Sequence, residues 1–120
     1  MSSGTFLLVT VAGGAGSALR WLVDDAVRRR CRHDVPVGIF VVNVSGSLLI
    51  GLLAGVVTGA AGSVALTGLI GGYTTFSTWM LDTHNALTAR RTAVAIVNVL
   101  GSLGAGLLAV AVGTALAERL

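Results

Sequence analysis

Charged residues are scarce in this sequence of 120 residues. They make up 11% of it and apolar residues 54%, whereas a soluble domain carries about 25% charged residues. No Asp, Glu, Lys, Arg or His occurs in residues 35–81 or in residues 92–117. This composition excludes a water-soluble globular domain. The first uncharged run is 47 residues long and must cross the membrane twice, because one transmembrane helix needs roughly 20 residues.

Cysteine and proline are nearly absent as well. The single cysteine, Cys31, excludes an intrachain disulfide and a metal site built from several cysteines. The single proline, Pro36, fits the first turn of a helix. No carboxylate lies in the interior of a membrane-crossing stretch, because all five acidic residues fall at interfaces or in loops. The chain therefore offers little for enzymatic chemistry, and it lacks the intramembrane acid on which a proton-coupled transporter usually depends.

The hydropathy pattern predicts an all-α membrane protein with four transmembrane helices in a single domain of 120 residues. Residues 1–19 lack the basic start of a secretory signal, so we assign them to the first span. We expect residues 24–36 to form the one substantial loop and residues 59–63 to form a tight turn. The four predicted spans are residues 4–23, 37–58, 64–82 and 93–116.

Basic residues are concentrated in two of the predicted loops. No aromatic residues are interleaved with them, so a positive-inside topology explains the net charge of +3 better than nucleic-acid binding does. The bias predicts a single orientation, with both termini outside. The loops after spans 1 and 3 hold Arg28, Arg29, Arg30, Arg32, Arg90 and Arg91, and the opposite side holds only Arg119.

Small and polar residues recur every four positions in two of the spans. In span 2 the stripe consists of Asn43, Ser47, Gly51, Gly55 and Gly59. In span 4 it consists of Asn98, Ser102 and Gly106. Such stripes let membrane helices pack closely. An amide that faces hydrocarbon costs several kcal/mol unless it finds a partner or water, so the same faces can also line a polar pathway.

The segment GGYTTFSTW, residues 71–79, is a poor helical sequence in the middle of span 3. We expect the helix to break there, near the membrane midplane. A break at that depth leaves backbone carbonyls that suit a hard cation. The alternative is a glycine kink softened by the two threonines.

Hydroxyl groups and aromatic rings follow this break. The edge of an aromatic ring is its positive part, so it can face a small anion without holding it tightly, which suits conduction. The segment consists of Phe76, Ser77, Thr78 and Trp79. The alternative is that the two aromatic residues simply pack against each other.

Three motifs carry a resemblance to a known family: GGAGSALRW (residues 13–21), VNVSGS (residues 42–47) and GGYTTFSTW. With these in order, the chain resembles the Fluc/CrcB fluoride channels over essentially its whole length. The resemblance implies a fluoride-specific channel in the cell membrane that lowers cytoplasmic fluoride by passive export and so protects against fluoride toxicity. It also implies an antiparallel dimer with two fluoride pathways, and a structural sodium ion, not transported, at the crossing of the two span 3 breaks.

The resemblance also implies site residues. Gly71 and Thr74 would give backbone carbonyls to the sodium ion. The first-span Arg20 would lie near a pore vestibule, although its position alone would make it an interfacial residue that snorkels. The rest of the ion pathway would comprise Asn43, Phe76, Ser77, Thr78, Trp79 and, from the span 4 stripe, Ser102. The chain departs from the family twice, with Trp79 where a phenylalanine is usual and Asn98 where a tyrosine is common.

The arginine bias affects the expected partner. An antiparallel homodimer needs the same chain in both orientations, so we expect this chain to pair with an oppositely oriented paralogue. Two other functions compete with the fluoride channel. One is a small proton-driven four-span multidrug or cation exporter, which would carry an acid in span 1, where this chain has none. The other is a non-conducting partner subunit of a heterodimeric channel.

Overall fold

The computed structural model describes residues 1–31 and 35–120. All regular secondary structure in these two ranges is helical, which confirms the predicted all-α class. The elements are α1 (Ser3–Arg30), α2 (Val37–Leu53), α3 (Gly59–Gly62), a π-helical segment (Ser63–Ile70), α4 (Gly71–Tyr73), α5 (Ser77–Thr88) and α6 (Thr92–Ala117). Elements α3, the π-helical segment and α4 follow one another directly and form one helical stretch, residues 59–73.

Helix α1 is longer than the predicted first span. The Ser2 hydroxyl accepts a hydrogen bond from the backbone N–H of Thr5 at 3.1 Å and caps the start of the helix. At the other end, the prediction that residues 24–30 belong to a loop was wrong. Aspartate and arginine four residues apart pair along the helix, with Arg28 to Asp24 at 2.8 Å. The arginines of the last turn also stabilise the helix, because its C-terminal end is the negative end of the helix dipole. The rest of the predicted loop includes residues 32–34, which lie outside the described ranges.

The turn after α2 lies earlier than predicted. Helix α2 ends at Leu53, and the chain reverses over residues 54–58, whereas the predicted turn, residues 59–63, is helical. The backbone is extended at Thr58 (φ −127°, ψ 174°), and Gly59 has φ +64°. Glycine adopts this left-handed conformation without strain. The glycine cluster therefore begins the next helix instead of forming the turn itself.

Glycines bring the helices together in two places. Where α1 crosses residues 59–73, Gly16 lies against the backbone of Leu69 and Tyr73, and Gly72 lies against the backbone of Gly13. Where α2 crosses α6, Gly51 lies against the carbonyl of Val110, and Ser47, the preceding member of the span 2 stripe, lies near Gly106. Because the contacts are backbone to backbone, no side chain fits between the helices.

The outer faces of the helices are apolar and exposed. Helices α1 and α6, 28 and 26 residues long, are each long and apolar enough to cross a membrane. Helix α2 is a shorter apolar helix of 17 residues. Large side chains such as Phe6, Leu100 and Leu108 point away from the protein. Such surfaces fit lipid rather than water as their surroundings.

Candidate functional site

The helical stretch 59–73 and helix α5 are separated by three residues, 74–76, which we call the break. Helix α4 ends at Tyr73, and Thr74 is extended (φ −76°, ψ 158°) before α5 begins at Ser77. The backbone N–H and the hydroxyl of Thr74 both donate to the carbonyl of Ile70, at 2.9 and 3.1 Å. This closes the end of α4 and turns the chain out of the helix.

Asn43 of α2 pairs with the backbone of Thr75 in both directions. Its Nδ2 donates to the Thr75 carbonyl at 2.9 Å, and its Oδ1 accepts from the Thr75 N–H at 2.9 Å. The amide thereby substitutes for two helical hydrogen bonds that the break interrupts. A regular helix would direct the Thr75 N–H to the carbonyl of Gly71, so the Gly71 carbonyl loses that donor.

Helix α1 supplies donors to two more carbonyls of this region. The Ser17 hydroxyl donates to the Gly72 carbonyl at 3.2 Å, and Arg20 Nη1 donates to the Thr74 carbonyl at 3.2 Å. Arg20 is half-buried and points into the break, so the expectation from position alone, that it snorkels to the interface, was wrong. The resemblance placed it near the pathway instead, and its guanidinium is the cationic group that caps the break.

Asn43 and residues of the break line an open cavity of about 460 Å³ between α2, the break and α6, which we call the groove. Six residues with a predicted site role face it: Asn43, Gly71, Thr74, Phe76, Trp79 and Ser102. Arg20, Ser77 and Thr78 do not line it. Apolar side chains of α6, such as Leu103 and Leu107, complete the wall. The groove thus combines a few polar groups with a mostly apolar surface.

Ser77 and Thr78 surround Thr75 instead. The Thr75 hydroxyl lies 3.3 Å from the Ser77 hydroxyl and donates to the Thr78 hydroxyl at 3.2 Å. It also accepts from the backbone N–H of Thr78 at 3.2 Å, as a cap does at the start of a helix. Sequence reasoning missed Thr75, which is buried and connects the break, Asn43 and α5. The only signal was the repeated threonine in GGYTTF.

The two aromatic residues of the groove meet edge to face. The ring centroids of Phe76 and Trp79 are 5.8 Å apart, and their planes make an angle of 83°. This is a favoured geometry for an aromatic pair. The Phe76 side chain is otherwise 70% exposed, so one face of its ring remains open on the groove side of the molecule.

Ser102 contributes a hydroxyl that the chain does not use. Its Oγ is buried and has no hydrogen-bond partner within residues 1–31 and 35–120. A buried hydroxyl without a partner carries a desolvation cost. Because Ser102 lines the groove, this unused hydroxyl lies in the wall of the cavity.

Arg28, in the last turn of α1, reaches Asp82 in the middle of α5, outside the groove. Arg28 Nε binds Asp24 at 2.8 Å, and its Nη2 lies 3.8 Å from Asp82 Oδ2 on α5. The hydrogen bond to Asp24 raises the pKa of the Arg28 guanidinium, and partial burial opposes this. Arg28 therefore stays charged and connects the two helices.

Side chains offer no metal site in the described part of the chain. Residues 1–31 and 35–120 contain no group of three or more His, Cys, Asp or Glu that could hold an ion. A cation in the break would have to bind backbone oxygens. The Gly71 carbonyl, which has lost its helical donor, is suited to this role, whereas the Thr74 carbonyl already accepts from Arg20.

Comparisons with known proteins agree with the motifs. The family model described as CrcB-like protein, Camphor Resistance (CrcB), matches residues 7–114. The chain is 42% identical over 111 residues to fluoride-specific ion channel FluC 2 of Mycolicibacterium paratuberculosis, covering 92% of this chain and 91% of that protein. It is 44% identical over 119 residues to fluoride-specific ion channel FluC 1 of Symbiobacterium thermophilum, covering 93% and 96%. The resemblance inferred from the three motifs is confirmed, and the chain belongs to the CrcB family.

Proposed function

We propose that this chain is a subunit of a fluoride-specific ion channel that lets fluoride leave the cell passively and so lowers cytoplasmic fluoride. The observation that carries the proposal is the unpartnered hydroxyl of Ser102 in a groove that also contains Asn43 and Phe76. The two relatives above have the same function in their names. An ion channel rather than an enzyme is the role that this family membership supports.

The groove supplies neutral donors to the anion. Ser102 can donate its O–H, and Asn43 retains a second amide hydrogen beyond the one that binds Thr75. The positive edge of the Phe76 ring can face the ion. None of the lining residues is an arginine, a lysine or a carboxylate. The ion therefore meets donors but no charged side chain that would trap it, as conduction requires, and no lining side chain is a carboxylate or an imidazole that could carry a proton for coupled transport.

We place the protein in the plasma membrane as a four-span protein. The described helices support spans formed by α1, α2, α6 and by the stretch 59–73 together with α5. In this arrangement residues 74–76 interrupt the third span near the membrane midplane. Carbonyls exposed there are tolerated only if protein or a cavity covers them. The donors from Ser17, Arg20 and Asn43 meet this requirement.

One chain does not enclose the groove, so we propose an antiparallel dimer with two pathways. The exposed ring of Phe76 and the open side of the groove need a second subunit to exclude lipid. We assign the partner to an oppositely oriented paralogue rather than a second copy. The names FluC 1 and FluC 2 of the relatives indicate numbered family members in those organisms.

The arginine distribution predicts a fixed orientation for this chain. Reporter domains fused after Leu120 are expected to signal only from outside the cell, because the loops that hold six of the eight arginines remain in the cytoplasm. Replacing the six loop arginines by alanine removes the bias and should give signal on both sides. Equal signal on both sides from the unmodified chain would contradict the paralogue proposal and favour a homodimer.

We also propose that the dimer holds one structural sodium ion through the Gly71 and Thr74 carbonyls. The Gly71 carbonyl supports this, since Asn43 takes its helical donor. Thr74 can contribute only its second lone pair, because Arg20 uses the first. Sodium would supply fixed positive charge at the crossing of the two chains. The melting temperature should be higher in sodium than in N-methylglucamine at equal ionic strength, and equal values would contradict the site.

Fluoride efflux from proteoliposomes tests the proposed function, with chloride as the competing anion. We expect rapid fluoride-selective efflux from this chain together with a paralogue. Ser102→Ala should lower efflux by about tenfold, the effect of one lost hydrogen bond to an anion. It should not lower the melting temperature, since the hydroxyl has no partner to lose. Ser63→Ala is the matched control, because the Ser63 hydroxyl lies outside the groove and binds Gly59.

The outcomes of this assay separate the candidate functions. Efflux that requires a pH gradient would favour the proton-driven exporter. Efflux that depends on the paralogue but is unchanged by Ser102→Ala and Phe76→Ile in this chain would indicate a non-conducting partner subunit. Loss of efflux with either variant, with the dimer still assembled, would support a conducting pathway lined by this chain.

A further inference from the structure

A cluster of hydrogen bonds joins α5 to α6 beside the groove. Trp79 Nε1 donates to the backbone carbonyl of Asn98 at 3.0 Å. In return, Asn98 Nδ2 donates to the Trp79 carbonyl at 3.3 Å and to the Thr83 hydroxyl at 2.9 Å. The Thr83 hydroxyl donates to the same Trp79 carbonyl at 3.0 Å. Three residues from two helices thus make four hydrogen bonds within one patch.

This arrangement uses every strong donor of the cluster. An indole has a single N–H and an amide has two, and all three are engaged. The Trp79 N–H is therefore occupied by the Asn98 carbonyl, and Trp79 offers the groove no free donor. The ring in turn lies edge to face against Phe76, at 5.8 Å between centroids. Fixing Trp79 thus also limits the positions that the exposed Phe76 ring can take.

Asn98 can influence the groove only indirectly, through its contacts with α5. It is 3% exposed and is not among the lining residues, whereas Trp79 is. A buried amide within a membrane helix is expensive unless it is satisfied, and an alanine would pack closely here without that cost. Within the described residues, both hydrogen bonds that the Asn98 amide donates go to α5, so these contacts serve the placement of α5 rather than the interior of α6.

We propose that Asn98 is a positioning residue for the ion pathway, which holds the Trp79 ring in the groove and keeps its N–H away from the passing ion. The inference rests on the proposed fluoride pathway. Without the Asn98 side chain, the one hydrogen bond of this cluster that still joins α5 to α6 is that from the indole N–H to the backbone carbonyl of residue 98. That single bond leaves Trp79 freer to turn its N–H into the groove, where a strong donor would retain the anion and slow its exit.

The test combines a structural readout with flux. In a Trp21→Phe background Trp79 is the only tryptophan, and its ¹⁵N-labelled indole gives one N–H signal by NMR. Asn98→Ala is expected to speed exchange of this N–H with solvent by about tenfold, and to lower fluoride efflux by a similar factor. Thr83→Val removes one acceptor of the amide and should shift both quantities less, in the same direction. Asn85→Ala, an exposed asparagine on α5, should change neither.

Each outcome bears on the inference. Faster exchange together with lower efflux supports it, in Asn98→Ala or, if that variant does not fold, in Thr83→Val. Faster exchange with unchanged efflux overturns the positioning role and leaves the fluoride channel intact. An unchanged exchange rate of the Trp79 N–H would mean that the Asn98 side chain does not hold the indole in place, which overturns the inference. If the unsubstituted channel carries no fluoride in the presence of a paralogue, the proposed function fails and this inference fails with it. This result can be told apart from the others because it is obtained before any residue is substituted.

Discussion

Asn43→Asp is expected to lower fluoride efflux by a factor of about 100 or more. The change replaces one NH₂ group by oxygen and leaves the size of the side chain unaltered. If the new carboxyl ionises, the Thr75 N–H keeps an acceptor, but the Thr75 carbonyl loses its donor and faces a second oxygen, which costs about 1–3 kcal/mol. At the membrane depth that we propose for the break, ionisation itself adds at least about 2.5 kcal/mol. If the carboxyl stays protonated, its single O–H is needed by the Thr75 carbonyl, and the side chain has no second hydrogen to offer to an anion.

We expect efflux to fall by more than the loss of one hydrogen bond alone would cause. Asn43 both closes the break and lines the groove, so the substitution displaces Thr75 and replaces a donor to the anion by a group that repels it. Thr75 in turn anchors the start of α5 through Thr78. We therefore expect a loss of anion entry in addition to a lower melting temperature.

Efflux from proteoliposomes and the melting temperature of the purified protein measure the two effects separately. Asn85→Asp is the matched control, because it makes the same chemical change at an exposed position of α5. Asn43→Ser, which is shorter but neutral, should keep more activity than Asn43→Asp. An Asn43→Asp channel that conducts fluoride at the normal rate would remove Asn43 from the pathway.

Much of the helical architecture could be predicted from the sequence. Uncharged runs of known length predict the helices, and a small residue every four positions predicts which face of α2 packs closely. The packing prediction is right as far as Gly51, which lies against α6. It does not extend to Gly55, which follows the end of α2 and where an added Cβ would have no neighbour within 4 Å. The glycines and threonines of residues 71–75 indicate where the helix stops. That this interruption lies at the membrane midplane stays a prediction.

The partners of the break could not be deduced from the sequence. Hydrogen bonds between Asn43 and Thr75, 32 positions apart, depend on how α2 crosses the break. The same is true of Arg20 and Thr74, 54 positions apart. A local pattern records which groups are polar but not which distant backbone group they meet. The residue pattern therefore identified Asn43 as a candidate, only the family resemblance pointed to Arg20, and neither identified Thr75.

Gly16→Ala is expected to cause the largest loss of stability among single methyl additions in α1. A Cβ at Gly16 would overlap the carbonyl of Leu69 and lie 2.8 Å from the backbone nitrogen of Tyr73. Backbone atoms cannot move aside as a flexible side chain can, so α1 must shift away from residues 59–73. Overpacking of this kind costs about 1–3 kcal/mol, and the shift also strains the hydrogen bond from Ser17 to Gly72.

Gly14→Ala provides the matched control on the same helix. A Cβ at Gly14 meets nothing within 4 Å, so this variant gains the helix propensity of alanine, worth up to about 1 kcal/mol, without a clash. Both variants gain the same propensity, and the difference between their melting temperatures isolates the packing of α1 on residues 59–73. We expect Gly14→Ala to conduct normally and Gly16→Ala to lose efflux as well as stability, because Ser17 and Arg20 move with the helix. Equal melting temperatures for the two variants would mean that α1 does not pack against residues 59–73 in the assembled protein, and the capping of the Gly72 and Thr74 carbonyls would then have to come from elsewhere.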